Sequence, residues 1–275
     1  MKLLRSTPTF IKGILIAGML GSCQNEDDTA LVPQVPTNVS DQNARTAAAA
    51  GLLIKDGEIS LSYQGSGLLT KEIYATAYDE FIYAPQLITA KGYKYGNPST
   101  EYKYTLDASG RCVQLVTNWE TYIFEYNTSG QLTKWYNKNK PNERRTLTYT
   151  TDATGWKKSL STVTFYDESG TKTRELKFSY GTTGVLLDKA PVSRYVLPTG
   201  VSRHLPIFGI FNTNLVKTLI EDKYLLNGQK LSSTIYQHRY TLDYAGKATN
   251  ITVKKVNGTL VSSTDRKYSV PSYNF

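Results

Sequence analysis

A short turn sequence recurs along most of the chain and constrains the fold more than any other feature. Asp or Asn usually opens the turn, Ser, Thr or Ala follows, and Gly closes it. The copies are Gln64–Gly67, Asp107–Gly110, Asn127–Gly130, Asp152–Gly155, Asp167–Gly170, Gly181–Gly184 and Asp243–Gly246. An Asp or Asn side chain can accept hydrogen bonds from backbone amides two residues on, and glycine adopts positive φ without a Cβ clash. Each copy therefore predicts a type I turn with a left-handed glycine between two antiparallel strands.

Two further turn signals differ from this motif. Asn227-Gly228 and Asn257-Gly258 each lie between strand-like segments. An Asn-Gly pair in that setting is typical of a tight two-residue hairpin. We therefore expect these two connections to be shorter than the others.

The segments that lead into the turns alternate between aromatic and polar residues. Tyr102 and Tyr104 are separated by Lys103, and Tyr122 and Phe124 are separated by Ile123. A period of two with one aromatic face predicts half-buried antiparallel strands. The best helix candidate is a short one within Lys71–Leu87. The irregular spacing of the closing glycines argues against a strict propeller or solenoid. The prediction is an all-β domain over residues 52–275: an antiparallel β-meander of repeated hairpins, curled or closed into a barrel-like sheet.

One stretch breaks the hairpin pattern. Leu187–Asp222 contains three prolines and the apolar run Leu205–Phe211. A proline-rich segment does not suit a central strand. We expect a loop that plugs the sheet or caps its open end. The alternative is a ligand or partner loop, with Phe208 and Phe211 as exposed anchors.

The N-terminus has the pattern of a secretory leader. Basic residues precede the short apolar run Gly13–Leu20, and Leu20–Cys23 follows it. The run is too short to span a bilayer as a helix, so it indicates a signal peptide over residues 1–22. Leu20–Cys23 resembles the lipobox of bacterial lipoproteins. That resemblance implies cleavage before Cys23 and acylation of its thiol. The alternative is an ordinary signal peptide with a chance cysteine.

The segment from Cys23 to Gly51 has the composition of a tether. It is polar, contains two prolines and shows no sustained apolar period, so we expect it to be mostly disordered. Gln24–Asp28 is an acidic cluster that is similar to the surface-export signal of Bacteroidota lipoproteins. Asp28–Ala30 resembles the O-glycosylation motif of that phylum. These resemblances imply the outer face of the outer membrane; the alternative is a solvated acidic tether.

Charge and cysteine content narrow the partners. The chain carries a net charge of +9, and most of its basic residues lie in the predicted β domain. Outside a cell such a charge favours an anionic glycan or lipopolysaccharide rather than nucleic acid, although scattered lysines also mark an ordinary solvated face. Cys112 has no partner cysteine in the domain, which excludes an intramolecular disulfide there. Its position in a strand favours a small core residue over a nucleophile.

The sequence contains no recognisable catalytic or metal constellation. Its two histidines, His204 and His238, do not form a cluster with metal-ligand spacing. Gly200–His204 lacks the second glycine of a nucleophile elbow. Adjacent acids such as Asp79-Glu80 point to opposite faces of a strand. We therefore predict no catalytic residues, no metal and no cofactor.

Aromatic residues are the better candidates for ligand contact. The chain has 21 tyrosines and three tryptophans. Such rings can stack on sugars or fill protein interfaces, although most are expected on the buried face of the sheet. Trp119 and Trp156 lie beside turns, so they are the candidate ligand-stacking residues.

The tyrosine-rich hairpins resemble the YD-type repeats of bacterial surface proteins. Together with the lipobox and acidic tether, they are similar to an uncharacterised family of Bacteroidota lipoprotein domains with a porin-like fold. The resemblance implies an all-β meander or barrel and no particular activity. The leading hypothesis is a lipid-anchored envelope protein, a non-catalytic binding or scaffold module for glycan or an outer-membrane partner. A structural or adhesive module is the alternative, and a polysaccharide hydrolase is the third.

Overall fold

The computed structural model describes residues 51–151, 158–181, 196–212 and 214–269. These residues form sixteen β-strands and no helix. The strands are β1 (Leu53–Asp56), β2 (Ile59–Tyr63), β3 (Leu69–Ile73), β4 (Ala77–Ala84), β5 (Leu87–Lys94), β6 (Asn97–Leu106), β7 (Cys112–Val116) and β8 (Thr121–Tyr126). They continue with β9 (Leu132–Asn137), β10 (Lys140–Thr151), β11 (Lys158–Tyr166), β12 (Lys172–Tyr180), β13 (Val216–Tyr224), β14 (Lys230–Leu242), β15 (Ala248–Lys255) and β16 (Leu260–Tyr268).

Each strand pairs antiparallel with the next, and the sheet closes into a barrel. The closing pair is β1 with β16, where Leu53 lies opposite Tyr268 and Asp56 opposite Arg266. The predicted all-β meander is confirmed, and it is closed rather than an open curl. The short helix expected within Lys71–Leu87 is wrong, because that stretch contributes to β3, β4 and β5. Its apolar residues follow the period of a strand, with Phe81 buried and Ile82 exposed.

The recurrent turn has the predicted geometry. Asn127 Oδ1 accepts hydrogen bonds of 3.0 Å from the amides of Ser129 and Gln131. The Gly130 amide donates to the Asn127 carbonyl at 2.9 Å, and Gly130 has a φ of 76°. The same bonds recur at Asp107, Asp167 and Asp243. The copies that end at Gly155 and Gly184 lie outside the described residues.

The two Asn-Gly turns are not the tight hairpins that the sequence predicts. The Gly228 amide donates to the Leu225 carbonyl, and the Leu225 amide donates to the Gln229 carbonyl. Gly258 makes the equivalent bond to Lys255. Both turns therefore have the backbone hydrogen bonds of the recurrent turn. Glycine is the fourth of the five residues in each, not the second residue of a two-residue turn. A two-residue turn occurs instead at Tyr95-Gly96, where both residues have positive φ.

The up-and-down order gives the barrel two distinct ends. The terminal end holds the start of β1, the end of β16 and the connection between β12 and β13. The distal end holds the turns that follow the odd-numbered strands, from β1–β2 to β15–β16. The plug described below bonds to the start of β7 at the terminal end, and the cavity described below extends towards the distal end.

The outward faces of the strands are mainly polar. On β6, Glu101, Lys103 and Thr105 are exposed while Tyr104 is buried. On β14, Gln237, Arg239 and Thr241 are exposed and the residues between them face inward. Such alternation is what an antiparallel sheet with one solvated face shows. In the described part of the chain, no helix is long and apolar enough to cross a membrane.

Residues 196–212 pack inside the barrel as a plug. Phe208 and Phe211 are 2% and 1% exposed and belong to the apolar core. The Ile207 carbonyl accepts a 2.8 Å bond from the Cys112 amide, and the Trp135 indole donates to the Val196 carbonyl at 2.7 Å. The predicted plug is confirmed for these residues. The alternative of exposed phenylalanine anchors is wrong, and the irregular stretch ends earlier than Asp222 because β13 begins at Val216.

The plug fits closely against the turn motif. Gly209 has a φ of 80°, and a Cβ atom there would lie 2.6 Å from the Gly130 carbonyl oxygen. Real Cβ atoms do not approach an oxygen this closely, so the plug requires glycine at this point. The plug and the β8–β9 turn are therefore matched in backbone shape.

A series of tyrosines ties neighbouring strands together at the terminal end. Each hydroxyl donates to a backbone carbonyl near the start of the preceding strand, at 2.7 to 3.3 Å. The pairs are Tyr63 with Leu53, Tyr83 with Leu69, Tyr126 with Cys112, Tyr149 with Leu132, Tyr180 with Leu160, Tyr240 with Val216, and Tyr268 with Ala248. A buried hydroxyl needs such a partner, so the bonds explain why tyrosine precedes so many turns.

Candidate functional site

A cavity of about 810 Å³ occupies the part of the interior that the plug leaves open. Its walls come from β1–β3 and β12–β16, and plug residues Val201–His204 line it as well. Side chains of both charges, tyrosines and aliphatic residues face it, among them Asp56, Glu72, Arg174, Glu221, Lys223, Tyr236, His238, Tyr240, Ile251, Val253 and Arg266. Lys223, Val261 and Ser262 are exposed close to the distal turns, so the cavity extends towards that end.

A buried charge cluster lies where the plug meets the wall of the cavity. His204 Nδ1 is 2.7 Å from Glu72 Oε1, and His204 Nε2 is 3.0 Å from Asp56 Oδ2. Arg266 Nε donates to Asp56 Oδ1 at 2.9 Å, and Arg203 Nη2 forms an ion pair with Asp56 Oδ2. The cluster therefore joins β1, β3 and β16 to the plug.

The cluster favours its charged forms despite being buried. Burial opposes ionisation of Asp56, but the His204 hydrogen bond and the charges of Arg203 and Arg266 outweigh it, so the pKa of Asp56 lies well below its usual value. Burial likewise opposes ionisation of Glu72, and the His204 bond and charge hold its pKa low. Burial disfavours the imidazolium, but the bonds to Asp56 and Glu72 raise the pKa of His204. His204 therefore bridges two carboxylates as a cation.

Glu72 also organises the neighbouring residues of the wall. Tyr74 donates from its hydroxyl to Glu72 Oε2 at 2.8 Å and lies 3.5 Å from Asp79 Oδ2. Burial and the nearby charge of Glu72 raise the pKa of Asp79 to about 6. Asp79 is therefore partly protonated in mildly acidic solution, unlike the two carboxylates bound to His204.

The opposite wall of the cavity is more open. Arg174 Nη1 lies 3.4 Å from Glu221 Oε1, and the Tyr236 hydroxyl donates to Glu221 Oε2 at 3.0 Å. His238 stacks on Tyr240 with ring centroids 6.4 Å apart. Burial lowers the pKa of His238 to about 4, so its ring is neutral at pH 7. Its Nδ1 atom has no hydrogen-bond partner among the described residues. This wall thus offers rings, hydroxyls and an imidazole to a ligand.

The cluster does not have the geometry of a hydrolase. Ser202, His204 and Asp56 are the residue types of a catalytic triad, but both imidazole nitrogens of His204 contact carboxylates. Ser202 Oγ instead donates to Glu72. A general base needs a ring nitrogen within reach of the serine proton, and none is free here. Within the described residues, no group of three His, Cys, Asp or Glu side chains is arranged to hold a metal ion.

The site residues that the sequence predicts lie either away from the cavity or outside the residues that the structure describes. Trp119 is 76% exposed in the β7–β8 turn, so its exposure is as expected, and its role in stacking stays a prediction. Cys23 and Trp156 lie outside the described residues. Cys112 is buried and free, and burial raises the pKa of its thiol. It packs as a core residue, as the sequence indicates.

Sequence reasoning missed the residues that the fold brings together in the cavity. Asp56 and His204 are 148 positions apart in the chain, and Glu72 and His204 are 132 apart. Spacing therefore gave no signal for the cluster. The one available hint was the pair Arg203-His204 directly before the apolar run Leu205–Phe211, since a charged group in a plug needs buried partners.

One solved structure supports the fold. The structure is similar to a porin-like protein from Bacteroides vulgatus, with a TM-score of 0.56 and 14% identity, covering 80% of this chain and 99% of that one. A porin-like protein from Bacteroides uniformis has a TM-score of 0.40 and 15% identity, covering 77% of this chain and 90% of that one. No protein-family model matches the sequence. No curated protein matches it either. The chain therefore has a porin-like antiparallel barrel fold.

Proposed function

We propose that this chain is a lipid-anchored envelope protein whose barrel binds a polar, glycan-type ligand in its interior cavity without transforming it. The acyl anchor is Cys23, and the barrel itself stands in water beside the outer membrane. The observation that carries the proposal is a plugged barrel with a polar outer wall and an interior cavity.

The distribution of polarity supports a barrel outside the bilayer. A membrane barrel presents an apolar band to lipid and a polar interior. In this chain the outward positions of β6 and β14 carry Glu101, Lys103, Gln237 and Arg239. The apolar residues instead fill the interior together with the plug. A polar outer wall is solvated by water and not by lipid. An acyl chain at Cys23 would therefore supply the membrane attachment.

The cavity supports a small polar ligand. Its volume of about 810 Å³ lies within the range of ligand pockets, roughly 300 to 1,000 Å³. Tyr236 and Tyr240 provide flat rings, and Arg174, Lys223 and His238 provide polar atoms around them. Sugars are bound by this combination of ring faces and directional hydrogen bonds. Both ring nitrogens of His204 contact carboxylates, so neither can serve as a general base. This arrangement favours ligand binding over hydrolysis.

A second candidate function is an adhesive or scaffold module that binds protein partners. It is favoured by Trp119, which is 76% exposed at a turn and outside the cavity. Exposed tryptophan is enriched at protein interfaces. The two functions depend on different surfaces: ligand binding on the interior wall, and adhesion on the outer turns.

Binding measurements with inward and outward variants of one strand test the proposal. Tyr236 and His238 face the cavity, whereas Gln237 between them faces solvent. Isothermal titration against neutral and acidic oligosaccharides is expected to show affinity that falls about tenfold or more in Tyr236→Ala and His238→Ala, since each removes a buried contact. Gln237→Ala is expected to bind like the parent chain.

Three outcomes would contradict parts of this assignment. Loss of binding in Trp119→Ala with unchanged affinity in Tyr236→Ala would move the site to the outer turns. Turnover of a bound polysaccharide by the purified chain would contradict the non-catalytic assignment. For the proposed surface export, protease added to whole cells should remove the barrel, and protection of the parent chain would count against it.

A further inference from the structure

Strongly exposed apolar side chains concentrate at the distal end of the barrel. They occupy the tips or edges of the β5–β6, β7–β8, β13–β14 and β15–β16 turns. The residues are Tyr95 at 73% exposure, Trp119 at 76%, Leu226 at 77%, Val256 at 61% and Leu260 at 57%. At the terminal end, Tyr244 is fully exposed and Leu242 is 44% exposed. We call these four turns with their flanking residues, that is residues 94–96, 117–120, 225–229 and 254–260, the distal rim.

Lysines accompany the apolar tips. Lys94 lies beside Tyr95, with its Nζ 5.7 Å from the ring centroid. Lys254 and Lys255 lead into the β15–β16 turn. Within the described ranges none of these three lysines forms a salt bridge, and Glu120 of the β7–β8 turn bonds to Tyr122 and Asn137 instead. The distal rim therefore combines apolar tips with lysines that have no ion-pair partner among the described residues.

This combination fits a lipid surface better than a protein surface. Tryptophan and tyrosine favour the membrane interface, and lysines near a membrane are attracted by anionic headgroups. The apolar tips form two separate groups, because the β9–β10 turn carries Lys138 and the β11–β12 turn carries Glu168. A protein interface buries one continuous patch, whereas separate tips can each enter a headgroup layer.

We propose that the distal rim docks peripherally on an anionic lipid surface, with Trp119, Leu226 and Val256 entering the headgroup region and the rim lysines pairing with lipid phosphates. This interaction is additional to the proposed ligand binding, and it does not depend on an acyl chain. The partner is a lipid bilayer, and docking on it requires both the apolar tips and the lysines.

Vesicle sedimentation tests the docking with matched variants. The chain from residue 23 onward, without the predicted leader, is produced with Cys23→Ser, so that no acyl group can attach there. It is mixed with phosphatidylcholine vesicles with or without about one third phosphatidylglycerol. The rim variant carries Trp119→Ser and Leu226→Ser. Its control carries Leu242→Ser and Tyr244→Ser, which are exposed at the terminal end. A charge variant, Lys254→Glu with Lys255→Glu, is compared with Lys217→Glu with Lys267→Glu, a pair of exposed lysines at the terminal end.

The proposal predicts sedimentation with the anionic vesicles and little with the neutral ones. The rim variant should lose about tenfold or more of its affinity, because each tip buries an apolar side chain. The charge variant should lose a similar factor and the controls should not change. Equal binding by rim and control variants would overturn the proposal. So would capture of a protein partner through Trp119 by a chain that binds no vesicle.

Discussion

The Tyr126 hydroxyl donates a 2.7 Å hydrogen bond to the carbonyl of Cys112, the first residue of the neighbouring strand β7. The Cys112 amide in turn donates to the Ile207 carbonyl of the plug. One tyrosine placed before a turn thus fixes both the strand start and the backbone that holds the plug. Six other tyrosines repeat the first of these bonds around the terminal end.

Tyr126→Phe should lower the free energy of unfolding by about 1 kcal/mol, because it removes one buried hydrogen bond and leaves the ring in place. Tyr136→Phe is the matched control, since that ring lies on the outer face beneath Lys134. Urea denaturation of the two variants measures the difference. Equal stability of Tyr126→Phe and the parent chain would show that the bond is not a structural tie.

His204→Gln should destabilise the barrel by about 3 kcal/mol, because it leaves two buried carboxylates without their shared cation. His238→Gln is the control and should cost about 1 kcal/mol or less, since His238 is neutral. Thermal or urea unfolding at pH 6 compares them. A His204 variant as stable as the His238 variant would contradict the bridging role.

The stability supplied by His204 should depend on pH in a defined direction. Its pKa is raised in the folded protein, so its contribution is complete below the unfolded value of 6.5 and is lost as the pH rises through the folded pKa. The pKa values of Asp56 and Glu72 are lowered, so their contribution is lost towards acid. The gap between parent and His204→Gln should be widest near about pH 5 to 6 and should narrow in alkali. A gap that widens in alkali would contradict the imidazolium.

Asp79→Asn should stabilise the protein at pH 7. The folded pKa of Asp79 is raised from 3.8 to about 6, so the folded state holds its proton more tightly and stability falls as the pH rises between these values. Removing the charge should recover about 1 kcal/mol at pH 7, after allowance for screening by water, and little at pH 4. Glu58→Gln, on the exposed β1–β2 turn, should change stability at neither pH. An unchanged pH profile in Asp79→Asn would contradict the raised pKa.

Phe208→Ala should cost about 3 to 4 kcal/mol, because the buried ring packs between Tyr104 and Phe124. Ile210→Ala tests the same segment at a side chain that is 43% exposed, and it should cost less than about 1 kcal/mol. Denaturation curves of both variants provide the comparison. A small loss in Phe208→Ala would mean that the plug is not part of the core.

Local features of the fold could be predicted from the sequence, because their causes are local. The Asn127–Gly130 turn follows from two side chains and one glycine, and the alternation of Tyr102, Lys103 and Tyr104 gives the strand period. Barrel closure could not be predicted, because β1 and β16 pair across almost the whole domain. The length of the Asn-Gly turns does not follow from the sequence, because a glycine after Asn fits both turn lengths.

The candidate site could not be predicted from the sequence, because its residues are far apart in the chain. Asp56, Glu72 and His204 come from two strands and the plug, and only the closed barrel brings them together. Trp119 could be assigned to the surface because it lies at a turn. The cavity wall could not be told from the rest of the inward face, since the position of the plug decides which tyrosines remain uncovered.

Cell fractionation tests most directly the central claim that a water-facing barrel is held at the membrane by Cys23. Cells producing the parent chain or Cys23→Ser are lysed without detergent, and the membranes are washed with high salt to release peripheral contacts. The parent chain is expected to remain with the membranes, and Cys23→Ser is expected to appear folded in the aqueous fraction. A Cys23→Ser chain that only detergent can extract would contradict it.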